Sequence, residues 1–122
     1  MATVRYLVHD VDQSLPFYLA LGFTELERWG PPFVMLERDG LTLWLSGPGT
    51  SAQRPLDNGA IPAPGGWNRL VIEVDDLDEA LQALRAMGAE LRGAPVSGPG
   101  GRQVLVDDPS GNPIELFENR EA

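Results

Sequence analysis

No cysteine occurs in the 122 residues, so neither a disulfide nor thiolate chemistry is available, and cysteine usage leaves the redox compartment unmarked. Histidine is nearly absent too, with His9 alone, which removes most of the imidazole donors a transition-metal site or a catalytic triad would draw on. No apolar run approaches the roughly 20 residues that cross a bilayer. The opening segment MATVRYLVHD lacks a basic region followed by an apolar block, so no export signal and a cytoplasmic location are expected. Basic residues are scarce, nine against 18 acidic ones, and the net charge is −9. Phosphate backbones need clustered Lys and Arg, so nucleic acid is not an expected partner. An acidic field of this kind attracts cationic ligands or simply maintains solubility.

What is present is ordinary globular material: 43% hydrophobic and 22% charged residues, in a length that suits one domain over 1–122. Residues 3–9 alternate, with Val4, Tyr6 and Val8 on one face and Thr3, Arg5 and Leu7 on the other, as in a strand with one buried face. Asp10 and Asp12 supply capping side chains, Leu15, Tyr18, Leu19 and Leu21 fall near helical spacing, and Gly22 ends the helix. Pro16 lies too early to break that helix. Short strands are expected at 23–28, 33–37 and 41–46, the last two joined by a hairpin at Arg38-Asp39-Gly40.

The second half repeats this order. A strand at 68–74 leads to Asp76 and Asp78, a helix with its stripe at Leu81, Leu84 and Met87, and Gly88. Strands at about 89–92 and 102–107, the turn Asp108-Pro-Ser-Gly111 and a strand at 113–117 complete it. An offset of 66 residues superposes Asp10, Asp12, Leu15, Ala20 and Gly22 on identical residues at Asp76, Asp78, Leu81, Ala86 and Gly88. An offset of 71 pairs Gly40 and Leu45 with Gly111 and Leu116, and the extra five residues fall in the Gly/Pro-rich stretch Gly93–Gly101. The expected fold is α+β: two βαβββ modules, about 1–46 and 67–118, forming a cupped mixed sheet with the helices outside. The Gly/Pro-rich segment 47–66 connects them, either covering a ligand cleft or only spanning the distance.

The segments Val8-His-Asp-Val-Asp-Gln-Ser-Leu-Pro-Phe-Tyr18, Val74-Asp-Asp-Leu-Asp-Glu-Ala80 and Asp107-Asp-Pro-Ser-Gly-Asn-Pro-Ile-Glu-Leu-Phe117 resemble the vicinal oxygen chelate superfamily of glyoxalases, bleomycin-resistance proteins and dioxygenases. The resemblance spans essentially the whole chain and implies a homodimer. In metal-binding relatives it places His, Gln or Glu ligands on the first and fourth strands of each module. The corresponding residues here are Thr3, Trp44, Arg69 and Glu115. Only Glu115 suits a metal, since Arg has no lone pair, Trp offers only an N–H and Thr is a poor lone ligand. No metal and no cofactor are therefore expected, and His9 reads as a solvated strand-end residue.

Alternation turns Thr3, Arg5, Thr42, Trp44, Ser46, Arg69, Val71, Glu73, Glu115 and Phe117 away from the core. Aromatic surfaces beside a few charges suit a planar or amphipathic small molecule. Trp44, with Trp67, Trp29 and Phe33, is suited to stack on an aromatic ligand or attract a cation, and Arg69 and Arg5 to clamp a carboxylate or enolate. An Arg69–Glu115 salt bridge filling the vacated metal site is the plainer alternative. The leading expectation is a metal-independent binding protein of the bleomycin-resistance type, holding an aromatic or cationic drug or metabolite with Thr3, Arg5, Thr42, Trp44, Trp67, Arg69, Glu115 and Phe117. The alternative is a lyase or isomerase with Glu115 as base and Arg69 and Arg5 as oxyanion stabilisers. A module without any ligand is the third possibility.

Overall fold

Capping aspartates start both helices, and left-handed glycines stop them. In the computed structural model, which describes residues 2–119, α1 spans Val11–Ala20 and α2 spans Leu77–Ala86. Asp10 accepts the Gln13 N–H at 3.1 Å, and Asp76 accepts the Glu79 N–H at 3.0 Å, each satisfying a donor the first helical turn leaves free. At the other end Gly22 and Gly88 take φ of 91° and 84°. Phe23 N–H then returns to Tyr18 O and Ala89 N–H to Leu84 O, both at 3.1 Å, so each helix closes in the same Schellman turn. The internal repeat is thus visible in hydrogen bonds as well as in residue identities. α1 continues through Pro16, which has no N–H to offer the Asp12 carbonyl one turn back.

Module one contributes β1 (Val4–Leu7), β2 (Thr24–Arg28), β3 (Phe33–Arg38) and β4 (Leu41–Ser46) in the order β1-β4-β3-β2. Module two contributes β5 (Leu70–Glu73), β6 (Glu90–Leu91), β7 (Val96–Gly98), β8 (Gly101–Asp107) and β9 (Pro113–Asn119), ordered β5-β9-β8-β6 with β7 also on β8. In each module the first strand runs parallel to the last and the other pairings are antiparallel. The α+β arrangement of two βαβββ units is as the sequence pattern implies, with three differences. The sheets are two ladders rather than one. The strands that open the modules are shorter than the alternating runs 3–9 and 68–74, so Thr3 and Arg69 stand just before β1 and β5. And β7 forms inside the Gly/Pro-rich stretch expected to be loop, because a short exposed hairpin arm needs only backbone pairing to Arg102 and Gln103.

The inward faces, with Leu43 and Leu45 of β4, Val104 and Val106 of β8, and Ile114 and Leu116 of β9, bury themselves under α1 and α2 in one apolar cluster shared by both modules. Side chains also join the two halves. The Tyr6 hydroxyl donates to Pro113 O at 3.1 Å and accepts from Leu70 N at 2.9 Å, tying β1 to the starts of β5 and β9. The Tyr18 hydroxyl donates to Asp108 Oδ2 at 2.6 Å. The connection 47–66 holds a single 3-10 turn at Ser51–Gln53, and Gln53 Nε2 donates to Val8 O and Ser46 O, each at 2.8 Å.

Burial first, then the nearby Asp108 carboxylate, pushes the Tyr18 hydroxyl well above its ordinary value of 10.0. Burial also raises Tyr6, against the opposing Leu70 N–H. A folded-state value above the unfolded one means the folded protein keeps its proton longer. Stability is therefore complete below about pH 10 and declines as pH climbs through the raised values. Denaturant midpoints measured from pH 8 upward should fall beyond about pH 10, and Tyr18→Phe should flatten that fall while lowering the neutral-pH baseline.

Candidate functional site

The faces turned away from the core carry the predicted side chains in two groups. On module one, parallel pairing sets Arg5 beside Trp44. The Arg5 guanidinium lies 5.1 Å over the Trp44 ring, and its Nη1 donates to Ser46 Oγ at 3.3 Å. Trp44 meets Phe33 edge-on at 5.6 Å, and Phe33 meets Trp29 at 6.1 Å, an aromatic ladder across β3 and β4. Trp44 Nε1 is buried without a hydrogen-bond partner, the one side-chain nitrogen or oxygen so left among the described residues. A buried donor of this kind costs about 1–3 kcal/mol. Thr42 is half-buried on the same strand, and Thr3 is exposed ahead of β1.

On module two, Glu115 is buried at 8% exposure. Its Oε1 receives Arg69 Nε at 3.1 Å and Arg69 Nη2 at 2.8 Å, while no hydrogen bond among the described residues reaches Oε2. Both arginine donors thus converge on one carboxylate oxygen and leave the other open. Trp67 is 68% exposed, and one face of its indole is covered by the Arg92 guanidinium at 4.6 Å. Arg92 is fixed in turn by Asp107 Oδ1 at 2.6 Å, Gly66 O at 2.7 Å and Gly111 O at 3.0 Å. Phe117 sits half-buried on β9 opposite Gln103. Among the described residues no hydrogen bond or ion pair links the Arg5–Trp44 group to the Arg69–Glu115 group.

A cavity of about 170 Å³ opens on module two, lined by Trp67, Arg69, Arg92, Val96, Gln103 and Leu105 among others. Arg92, Gln103 and Leu105 are absent from the set expected from sequence. The β8 alternation that buries Val104 and Val106 already implied Gln103 and Leu105, whereas nothing in the pattern marked Arg92. A larger cleft of about 490 Å³ lies between α1 and the Met87–Glu90 turn, away from every predicted residue. There Asp108 is held by four donors and Asp107 is paired with Arg92, and Gln13 and Glu90 line the cleft as well. The smaller cavity is the one that the expected residues Trp67 and Arg69 line. Segment 47–66 lines neither.

The donor set does not fit a divalent cation. Of Thr3, Trp44, Arg69 and Glu115, only Glu115 brings an anionic oxygen, and Arg69 holds one of its two. Among the described residues no three His, Cys, Asp or Glu gather to hold an ion, and His9 is exposed.

The model of the Glyoxalase/Bleomycin resistance protein/Dioxygenase superfamily matches residues 1–116. An uncharacterized protein of Mycolicibacterium smegmatis is 28% identical over 110 residues, covering 88% of this chain and 84% of that one. A glyoxalase/bleomycin resistance protein/dioxygenase family enzyme from Burkholderia phytofirmans superposes with a TM-score of 0.80 at 22% identity, covering 97% of each chain. Lactoylglutathione lyase from Agrobacterium tumefaciens gives 0.70 at 22% identity, over 97% of this chain and 92% of that chain. At such identities the likeness to these two structures is one of fold. Neither helix is long and apolar enough to cross a membrane.

Proposed function

The chain belongs to the glyoxalase/bleomycin resistance protein/dioxygenase superfamily, and from that premise we propose that it captures an aromatic small molecule without a metal, as a binding protein of the bleomycin-resistance type. One observation carries this reading. Beside the Arg69–Glu115 pair lies a cavity walled by an exposed indole and apolar side chains, an arrangement that recognises a flat organic body and offers a cation no ligands. Of the two ligand types considered, aromatic and cationic, the geometry favours the aromatic. Both Trp44 and Trp67 already carry one of the protein's own guanidinium groups over a face. Homodimerisation and a role in drug resistance belong to this reading through the family alone, and a cytoplasmic location through the opening segment's lack of an export-signal pattern; sedimentation equilibrium checks the first.

A second reading, a lyase or isomerase with Glu115 as base and Arg69 and Arg5 as oxyanion stabilisers, is favoured by the open Glu115 Oε2. Tryptophan fluorescence against a panel of fused-ring aromatic antibiotics and metabolites tests the first reading. Saturable quenching is expected, with loss of at least about tenfold in affinity for Trp67→Ala. Silence across the panel would remove it. Glu115→Gln separates the two readings: a binder keeps affinity within a few-fold, whereas an enzyme loses about 10²–10⁴ in turnover at unchanged affinity.

A further inference from the structure

We propose that the module-two cavity is a subsite for a carboxylate borne on a flat apolar body, such as an aryl carboxylic acid. This rests on the reading of that cavity as a ligand site and names the chemical class it takes.

The charge of the lining comes first. Arg69 and Arg92 both line the cavity, and neither of their counter-charges, Glu115 and Asp107, does. In a chain of net charge −9 this is a locally cationic hollow. Its apolar walls include Trp67, Ala94, Val96 and Leu105, which suit an apolar body, and Gln103 adds a carboxamide. The volume of about 170 Å³ equals five or six waters at roughly 30 Å³ each, enough for one small ring and its substituent.

The free donors then select the anion. All three Arg92 nitrogens serve Asp107, Gly66 and Gly111, so Arg92 supplies a fixed positive charge and a platform for Trp67. Arg69 spends Nε and Nη2 on Glu115, while Nη1 makes only a 3.4 Å contact with Trp67 O. The Gln103 carboxamide makes no hydrogen bond among the described residues and lines the same cavity. Arg69 Nη1, held only by the long Trp67 contact, and Gln103 Nε2, with no partner among the described residues, are the least committed nitrogens of the lining, a pair of donors that suits the two acceptor oxygens of a carboxylate. An ammonium ligand would face two guanidinium groups at a Trp67 face already covered.

The test uses three probes of one shape: benzoate, benzamide and benzylammonium, titrated into the full chain by protein-detected NMR. Benzoate should bind at least about tenfold more tightly than the other two, shifting resonances of Trp67, Arg69 and Gln103, and its affinity should fall as salt rises. Gln103→Leu, which removes no side-chain hydrogen bond among the described residues, should abolish most of that preference. Arg69→Lys, which keeps the charge opposite Glu115 but loses the planar fork, should weaken benzoate about tenfold and leave benzamide unchanged. Equal or tighter binding of benzamide or benzylammonium overturns the inference and leaves the cavity a ligand site. If none of the three binds while a larger aromatic compound quenches Trp67, the inference falls alone; if nothing binds at all, both readings fall.

Discussion

Asp108→Ala should destabilise the protein by about 3–4 kcal/mol, a large share of the roughly 5–15 kcal/mol typical of a domain this size. Asp108 is 4% exposed and its carboxylate is saturated. Oδ1 accepts Ser110 N at 2.8 Å and Asn112 N at 2.9 Å, and Oδ2 accepts Asn112 Nδ2 at 3.0 Å and the Tyr18 hydroxyl at 2.6 Å. Truncation strands all four donors, each worth about 1–3 kcal/mol if it stays dry. Water entering from the adjoining cleft, which Asp108 lines, keeps the sum below simple addition. The damage spreads because this turn is the joint between modules. Asn112 Nδ2 also donates to Leu7 O at 2.6 Å, Asn112 Oδ1 accepts Gly65 N at 2.8 Å, and Ser110 Oγ accepts His9 N at 2.8 Å. Asp108→Asn retains two of the acceptor contacts and should cost about 1–2 kcal/mol. Urea denaturation at neutral pH checks both variants. A loss under about 1 kcal/mol for Asp108→Ala would mean that the apolar cluster alone joins the halves.

The same turn shows how much the amino-acid pattern discloses. Capping aspartates, closing glycines and period-two alternation are local signals, and the structure follows them because each is satisfied by neighbours a few residues away. Alternation also set Arg69 and Glu115 on one face, and they meet there. Bonds across 64 to 107 positions, such as those of Tyr6 with Leu70 and Pro113, have no local signature, so the joint between modules could not be read. β7 escaped for a related reason: it is held by backbone pairing to β8, and Val96-Ser-Gly98 has no buried face to produce a pattern. The site was half legible. Alternation turns Trp44 away from the core, but the guanidinium over the Trp44 and Trp67 rings depends on side-chain geometry. Arg92, which reaches Trp67 from the end of β6, carries no mark that separates it from a solvated arginine.

Removing Arg69 alone should cost about 2–3 kcal/mol, and removing both members of its pair should cost much less. Breaking a fully buried ion pair costs about 3–5 kcal/mol through the charge left behind. The figure here is discounted because the Arg69 side chain is 30% exposed and that of Glu115 10%, so water reaches one partner. Arg69→Leu combined with Glu115→Leu leaves no stranded charge and adds apolar contact beside Val71 and Leu105, the register neighbours of Glu115. Its stability should lie within about 1 kcal/mol of the natural protein, or above it. If the pair only plugs the place where metal-binding relatives set their ligands, the double variant loses nothing that matters. If the cup holds a ligand, the double variant folds normally and fails to bind the aromatic compounds that quench the natural protein. Denaturation midpoints and fluorescence titrations on the single and double variants make the comparison. A double variant as unstable as Arg69→Ala would assign the pair to structure. A stable, non-binding one would show that a costly half-buried charge pair is retained for its ligand.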